Sequence, residues 1–161
     1  MTDVHTREQR SRNMAAIRSR NTKPELRVRS VLHFLGYRFR LHRKDLPGKP
    51  DIVLPKHRTA IFVHGCFWHC HDCRFGRVVP ATRPDFWAAK RAGNVKRDQR
   101  NIFLLEERGW RVITIWECET SDLEALGQSI KFRMPQVAIE RKSKAGKPTV
   151  RAGTRPADRL R

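Results

Sequence analysis

The sequence predicts an α/β fold in which helices sandwich a mixed central sheet. Three observations predict it. A capping-box pattern near residue 22 opens a stretch with apolar residues at helical spacing. Short apolar or alternating runs between residues 37 and 64 are separated by Pro- and Gly-containing turns, as strands are. From residue 84 onward helical patterns alternate with one more apolar run. At 161 residues the chain is long enough for one domain with its own core and too short for two large ones.

Each element has a local cause. Thr6 and Gln9 form a capping-box pattern that opens a short helix to about Ile17, studded with Arg7, Arg10, Arg12, Arg18 and Arg20. Thr22-Lys23-Pro24-Glu25 opens a second helix that runs to Leu35 and stops at Gly36, with Val28, Val31, Leu32 and Leu35 facing the core. Tyr37, Phe39 and Leu41 alternate with Arg38, Arg40 and His42, the pattern of a half-buried strand. After a turn at residues 46–50, residues 51–54 form a buried strand, residues 55–58 turn back, and residues 59–64 form another strand. Residues 65–84 are irregular and rich in Cys and His. A short helix is expected over 84–92, and a second one, capped by Asn94, ends at Gly109. Residues 110–116 are the last strand, and Ser121 with Glu124 opens a closing helix. The chain thus divides into a basic arm (1–21), a folded domain (22–135) and a basic tail (136–161) with eight Lys or Arg, two acids and an expectation of disorder.

Thirty-five Lys and Arg against 16 Asp and Glu give a formal charge of +19. Such a charge repels itself in the folded state and favours a polyanionic partner, DNA or RNA first. No apolar run approaches the roughly 20 residues of a membrane span, and the first residues lack a secretory pattern. A cytoplasmic protein with reduced thiols is expected.

Three constellations carry chemistry. Pro50-Asp51 sits at the mouth of a strand, where a carboxylate is rigid yet accessible, as an oxygen ligand for Mg²⁺ must be. Many nucleases add a D/E-x-K triplet on the next strand; this chain ends that strand in Val63-His64 instead. The segment His64-Gly65-Cys66-Phe67-Trp68-His69-Cys70-His71-Asp72-Cys73 offers more donors than one tetrahedral zinc needs. With Cys118 as a distant ligand, the set is Cys66, Cys70, Cys73 and Cys118, or the same set with His71 in place of Cys70. Phe67, Trp68 and Trp87 suit apolar wedges that distort a duplex. Asp98 falls on the apolar side of its helix with Val95 and Ile102, where a carboxylate needs a partner: a histidine or one of the arginines. Glu25 is accounted for as the capping-box acid.

Leu46-Pro-Gly-Lys-Pro-Asp51, His64-Gly-Cys-Phe-Trp-His69, Pro80-Ala-Thr-Arg83 with Phe86-Trp87, Asn94-Val with Arg97-Asp98, Gly109-Trp-Arg-Val and Trp116-Glu-Cys118 together resemble the very-short-patch repair endonucleases, as does Arg10-Ser-Arg-Asn-Met14. The resemblance covers about residues 5–118. It implies a three-layer, restriction-endonuclease-like fold with a structural zinc, and nicking on the 5′ side of the thymine in a T:G mismatch left by deaminated 5-methylcytosine. It implies Asp51 and the main-chain carbonyl of Val63 as Mg²⁺ ligands, His69 as general base positioned by Asp98, and His64 and Glu25 in support. Zinc would be held by Cys66, His71, Cys73 and Cys118. Phe67, Trp68 and Trp87 would open the duplex, Lys90 and Asn94 would read the mismatched pair, and Met14 would help the arm grip the minor groove. It further implies a monomer in the bacterial cytoplasm, at the nucleoid, with a MutL-type partner. The chain departs from the family pattern at Cys70, where the pattern has His, and at Val63, where it has Thr. It also has one extra residue between Cys73 and Pro80, and its basic tail has no family counterpart. Two other functions fit part of the pattern: a non-catalytic zinc-dependent mismatch- or structure-specific DNA-binding protein, and a restriction-like endonuclease acting on ordinary duplex or RNA.

Overall fold

The computed structural model describes Thr6, Glu8, Gln9, Arg12 and residues 20–134. Met14 and the tail at 136–161 lie outside the described residues. Within the arm the expected capping box is present: the Gln9 side chain accepts from the Thr6 N–H at 2.8 Å, and Thr6 Oγ1 accepts from the Gln9 N–H at 3.2 Å.

The domain runs α1 (Lys23–Phe34), β1 (Arg40–Leu41), β2 (Ile52–Leu54), β3 (Thr59–His64), α2 (Pro84–Glu107), β4 (Arg111–Trp116) and α3 (Leu123–Arg133). Strand order follows the chain, β1-β2-β3-β4. The first two pairings are antiparallel and β3–β4 is parallel, so the sheet is mixed as expected. Parallel neighbours need a crossover, and α2 supplies it.

Helices cover both faces. Ile52, Leu54, Ile61, Ile113 and Ile115 alternate along the strands onto one face, where Val28, Val31 and Leu32 of α1 and Leu126 and Ile130 of α3 pack. Val53, Ala60 and Phe62 point to the other face, against Leu105 of α2. The result is three layers, helix on sheet on helix. β2 is buried on both sides, which is why its sequence is an unbroken apolar run.

Three elements differ from expectation. The first strand is two residues long, because only Arg40 and Leu41 find partners, at Val53 and Ile52. The two helices expected over 84–109 are one continuous helix of 24 residues. Gly93 lies at the expected junction, and a mid-helix glycine costs about 1 kcal/mol relative to alanine. The cost is offset by a stripe of residues at 87, 91, 94 and 98 that binds the Cys/His loop. Asn94 is therefore not a helix cap: its Nδ2 donates to the Trp68 carbonyl at 2.9 Å. The cap of α3 is Asp122 rather than Ser121, accepting from the Glu124 and Ala125 N–H groups at 2.9 and 3.0 Å.

Candidate active site

One end of the sheet gathers the candidate residues, for a topological reason. β3 and β4 are parallel, with His64 paired to Trp116, so both carboxyl ends emerge side by side. Cys66 and Cys118 follow at once and meet. β2 runs against β3, so its amino end, with Asp51, lies at the same end of the sheet. Ligand sites in α/β sheets sit at the carboxyl ends of parallel strands for this reason.

A cleft of about 500 Å³ opens there, lined among others by Glu25, Asp51, Val63, His64, His69 and Asp98. Five expected catalytic residues and the second expected Mg²⁺ ligand thus share one space. Its floor is the turn before β2. There Gly48 (φ +71°) passes so close to Asn101 that an added Cβ would fall 2.8 Å from its side chain.

Asp51 Oδ2 accepts the Val63 N–H at 2.8 Å. Burial pushes its carboxyl above the usual range; the Val63 N–H opposes this, and nearby Glu25 adds to it. Glu25 is buried and completes the capping box of α1, with Thr22 Oγ1 at 3.0 Å from its Oε1. Arg29, one turn further on, donates to its Oε2 at 2.6 Å. Donor atoms of Glu25, His42 and Asp51 all lie within 4.8 Å of one another. A buried and a half-buried carboxylate so close repel unless a cation joins them, which suits the chemistry of a hard divalent ion. Arg29 and His42 were not selected from the sequence. The i, i+4 spacing of Glu25 and Arg29 was visible, but it reads equally as a surface pair; His42 carried no signal.

On the opposite wall, His69 Nδ1 lies 2.5 Å from Asp98 Oδ2. The alternative partner for Asp98, an arginine, is not among its described ion pairs. His64 stacks on His69 with ring centroids 3.9 Å apart and planes within 5°. Its Nε2 is 4.0 Å from the other Asp98 oxygen. Burial, then the His69 neighbour, push His64 down to about 4 against the pull of Asp98, so it is neutral at pH 7.

Behind this wall, one donor atom each from Cys66, His71, Cys73 and Cys118 falls within 4.8 Å of the others, a set of the kind that holds zinc. Cys118 Sγ is 3.4 Å from His71 Nδ1. Cys70 is exposed, with a left-handed backbone (φ 54°), and stands outside the set. Of the two donor sets the sequence allowed, the geometry assembles the one with His71. The loop is folded tightly: a Cβ on Gly76 would lie 1.9 Å from the His71 carbonyl oxygen, so only glycine fits. Arg91 of α2 reaches back to the carbonyls of Val78, at 3.0 Å, and Gly76.

Phe67, Trp68 and Trp87 form one half-buried aromatic cluster, with centroids 5.1 to 5.9 Å apart and edge-on geometry throughout. Phe86 extends it through Trp87 at 5.3 Å and is 45% exposed; the sequence reading named it in a motif without giving it a role. Lys90 Nζ stands 5.4 Å from the Trp87 ring and 5.6 Å from that of Trp68. Asn101 links the cleft to a second groove of about 430 Å³, walled by Lys44, Arg97, Arg100 and Arg108.

A carboxylate-bearing cleft at the mouth of a mixed sheet, faced by a carboxylate-oriented imidazole and flanked by a cationic groove, defines the class of α/β nucleases. Comparison with known proteins narrows this class. Residues 2–75 match the model of the DNA mismatch endonuclease Vsr family. The type II nicking enzyme V.XorIIP of Xanthomonas oryzae pv. oryzae is 56% identical over 126 residues, covering 78% of this chain and 92% of that protein. The DNA mismatch endonuclease Vsr of Escherichia coli K12 is 48% identical over 126 residues, covering 78% of this chain and 80% of that protein. V.NmeAIP, a nicking enzyme of Neisseria meningitidis, is 48% identical over 119 residues, or 74% and 84% of the two chains. The chain belongs to the Vsr family of DNA mismatch endonucleases. Among its described residues no helix is long and apolar enough to cross a membrane.

Proposed function

We propose that this chain nicks one strand of duplex DNA on the 5′ side of the thymine of a T:G mismatch. The observation that carries the reading is that Asp51 and the His69–Asp98 pair line one cleft.

His69 is the general base. Asp98 accepts the Nδ1–H, which fixes the tautomer and leaves Nε2 to take a proton from the attacking water. His64, neutral and stacked on the ring, restricts how His69 can turn. Asp51 and the Val63 carbonyl would hold Mg²⁺, which when bound would supply charge neutralisation at the scissile phosphate. Asp51 is held for that role by the main chain of β3 rather than by a mobile side chain. Cys66, His71, Cys73 and Cys118 would hold Zn²⁺, which would fix the loop that presents His69.

Phe67, Trp68 and Trp87 enter the duplex beside the mismatch, with Phe86 at the rim. Lys90 and Asn94 face the mismatched pair; Asn94 is already tied to the Trp68 carbonyl, so it senses the position of the wedge as well. The groove of Lys44, Arg97, Arg100 and Arg108 takes the flanking phosphates. Monomeric action in the bacterial cytoplasm, with a MutL-type protein as partner, completes the proposal.

The test is cleavage of end-labelled duplexes that differ only in a central T:G or T:A pair, with Mg²⁺ present. A cut in one strand, 5′ of the mismatched T, is expected. Equal cleavage of both duplexes, or binding without cleavage, refutes the reading.

A further inference from the structure

The Glu25–His42–Asp51 group has the composition of a metal site, yet part of it is already filled. Arg29 Nη2 lies 2.6 Å from Glu25 Oε2 and 3.2 Å from His42 Nε2. Those two acceptor atoms are 3.9 Å apart. A small divalent ion bridging them would need about 2.0–2.1 Å to each, which is the space the guanidinium nitrogen takes. A guanidinium keeps its proton and only donates, so His42 Nε2 is the acceptor and its lone pair is spent. Glu25 is spent likewise: its Oε2 also receives the Asn21 N–H at 3.1 Å, and its Oε1 the Thr22 hydroxyl at 3.0 Å.

The position of Arg29 is itself costly. Its side chain is 11% exposed, and its Nε is buried with no hydrogen-bond partner. A buried unsatisfied donor costs about 1–3 kcal/mol, so the position calls for a return. The return is a fixed positive charge against a buried carboxylate, with Nη1 anchored to Asn21 Oδ1 at 2.7 Å. The strand β3 carries neither the carboxylate nor the lysine of a D/E-x-K triplet, and α1 delivers a cation, Arg29, to the same pocket.

We propose that Arg29 is the resident cation of this pocket: it holds the Glu25–His42 side and confines the divalent ion to Asp51, so the site takes one ion rather than two. This rests on the reading that Asp51 binds the divalent ion. Two-metal sites place their ions about 3.5–4 Å apart and need unspent ligands for both. Here Asp51 alone of the three keeps an oxygen, Oδ1, outside the hydrogen bonds described.

The experiment counts Mn²⁺ bound to the zinc-loaded full-length chain by electron paramagnetic resonance, without DNA. The wild type is expected to bind one Mn²⁺ and Asp51→Ala none. Arg29→Met, which keeps the bulk and loses the charge, is expected to bind two. Arg29→Gln, which keeps an N–H donor for Glu25, serves as the second variant; zinc content and thermal melting report that each is folded. Two ions on the wild type, or one on folded charge-free variants, overturns the role of Arg29 and leaves the Asp51 reading standing. No ion on the wild type overturns the Asp51 reading, and this inference with it. A wild-type count of none or two decides without any variant; a count of one passes the decision to the Arg29 variants.

Discussion

The two walls of the cleft are made in different ways. Asp51 and Glu25 stand on secondary structure: one at the mouth of a fully buried strand, the other in the capping box of a helix packed on the core. His69 stands on a loop without regular structure, shaped by three thiols, an imidazole and the inward stripe of α2. The first wall is stabilised by the same apolar burial that folds the domain. The second gathers three thiols and an imidazole, donors of the kind that a bound metal ion joins. A site can thus have one wall as stable as the fold and another that is contingent on a ligand, because local stability is not uniform across a structure.

The largest way to break this comparison is to remove the carboxylate of the stable wall. Asp51→Ala is expected to lower nicking by at least about 10³-fold, several kcal/mol of transition-state stabilisation, with mismatch binding by gel shift nearly unchanged. Loss of binding in step with nicking would mean that Asp51 supports the fold instead. On the other wall, His69→Ala is expected to cost about 10²–10⁴-fold in the single-turnover rate, the usual range for a general base. Asp98→Asn should follow it in direction, since it disturbs the tautomer that Asp98 selects.

Cys118→Ser sharpens the contrast between the walls. Amide exchange should quicken throughout residues 65–83 while β2 and β3 stay protected. Uniform loss of protection would show that the loop and the core fold as one unit. Trp68→Ala is expected to reduce the preference for mismatched over paired duplex by about 1–3 kcal/mol, the worth of one stacked base, without a change in zinc content. The smallest effect belongs to the cationic groove. Arg108→Ala should weaken binding to mismatched and paired duplex alike and flatten the slope of log affinity against log salt by about one. A selective loss for the mismatch would place Arg108 in recognition instead.

The helix α2 shows how legibility in the sequence fails. Asp98 stood out because it shares a side with Val95 and Ile102, and it does meet a histidine. Yet Gly93 and Asn94 read as a break, and the break hid the stripe Trp87–Arg91–Asn94–Asp98 that ties the loop to the domain. Local propensity favoured two helices; tertiary contacts hold one. The first strand was overestimated for a related reason: alternation at residues 37–42 marks half-burial, but pairing needs a neighbour, and only Arg40 and Leu41 have one.

The sequence by itself determined the order of elements, the mixed sheet and the metal-donor chemistry of residues 66–73. Periodicity, caps and donor types are local properties and leave a local trace. Residue spacing alone left Cys70 and His71 open, and the tertiary structure brings His71 to the thiols, sets Arg29 against Glu25 and places His42 beside Glu25 and Asp51. Those choices depend on distances between residues far apart in the chain. The parallel pairing of β3 with β4 and the continuity of α2 fix such distances, and no spacing along the sequence encodes them.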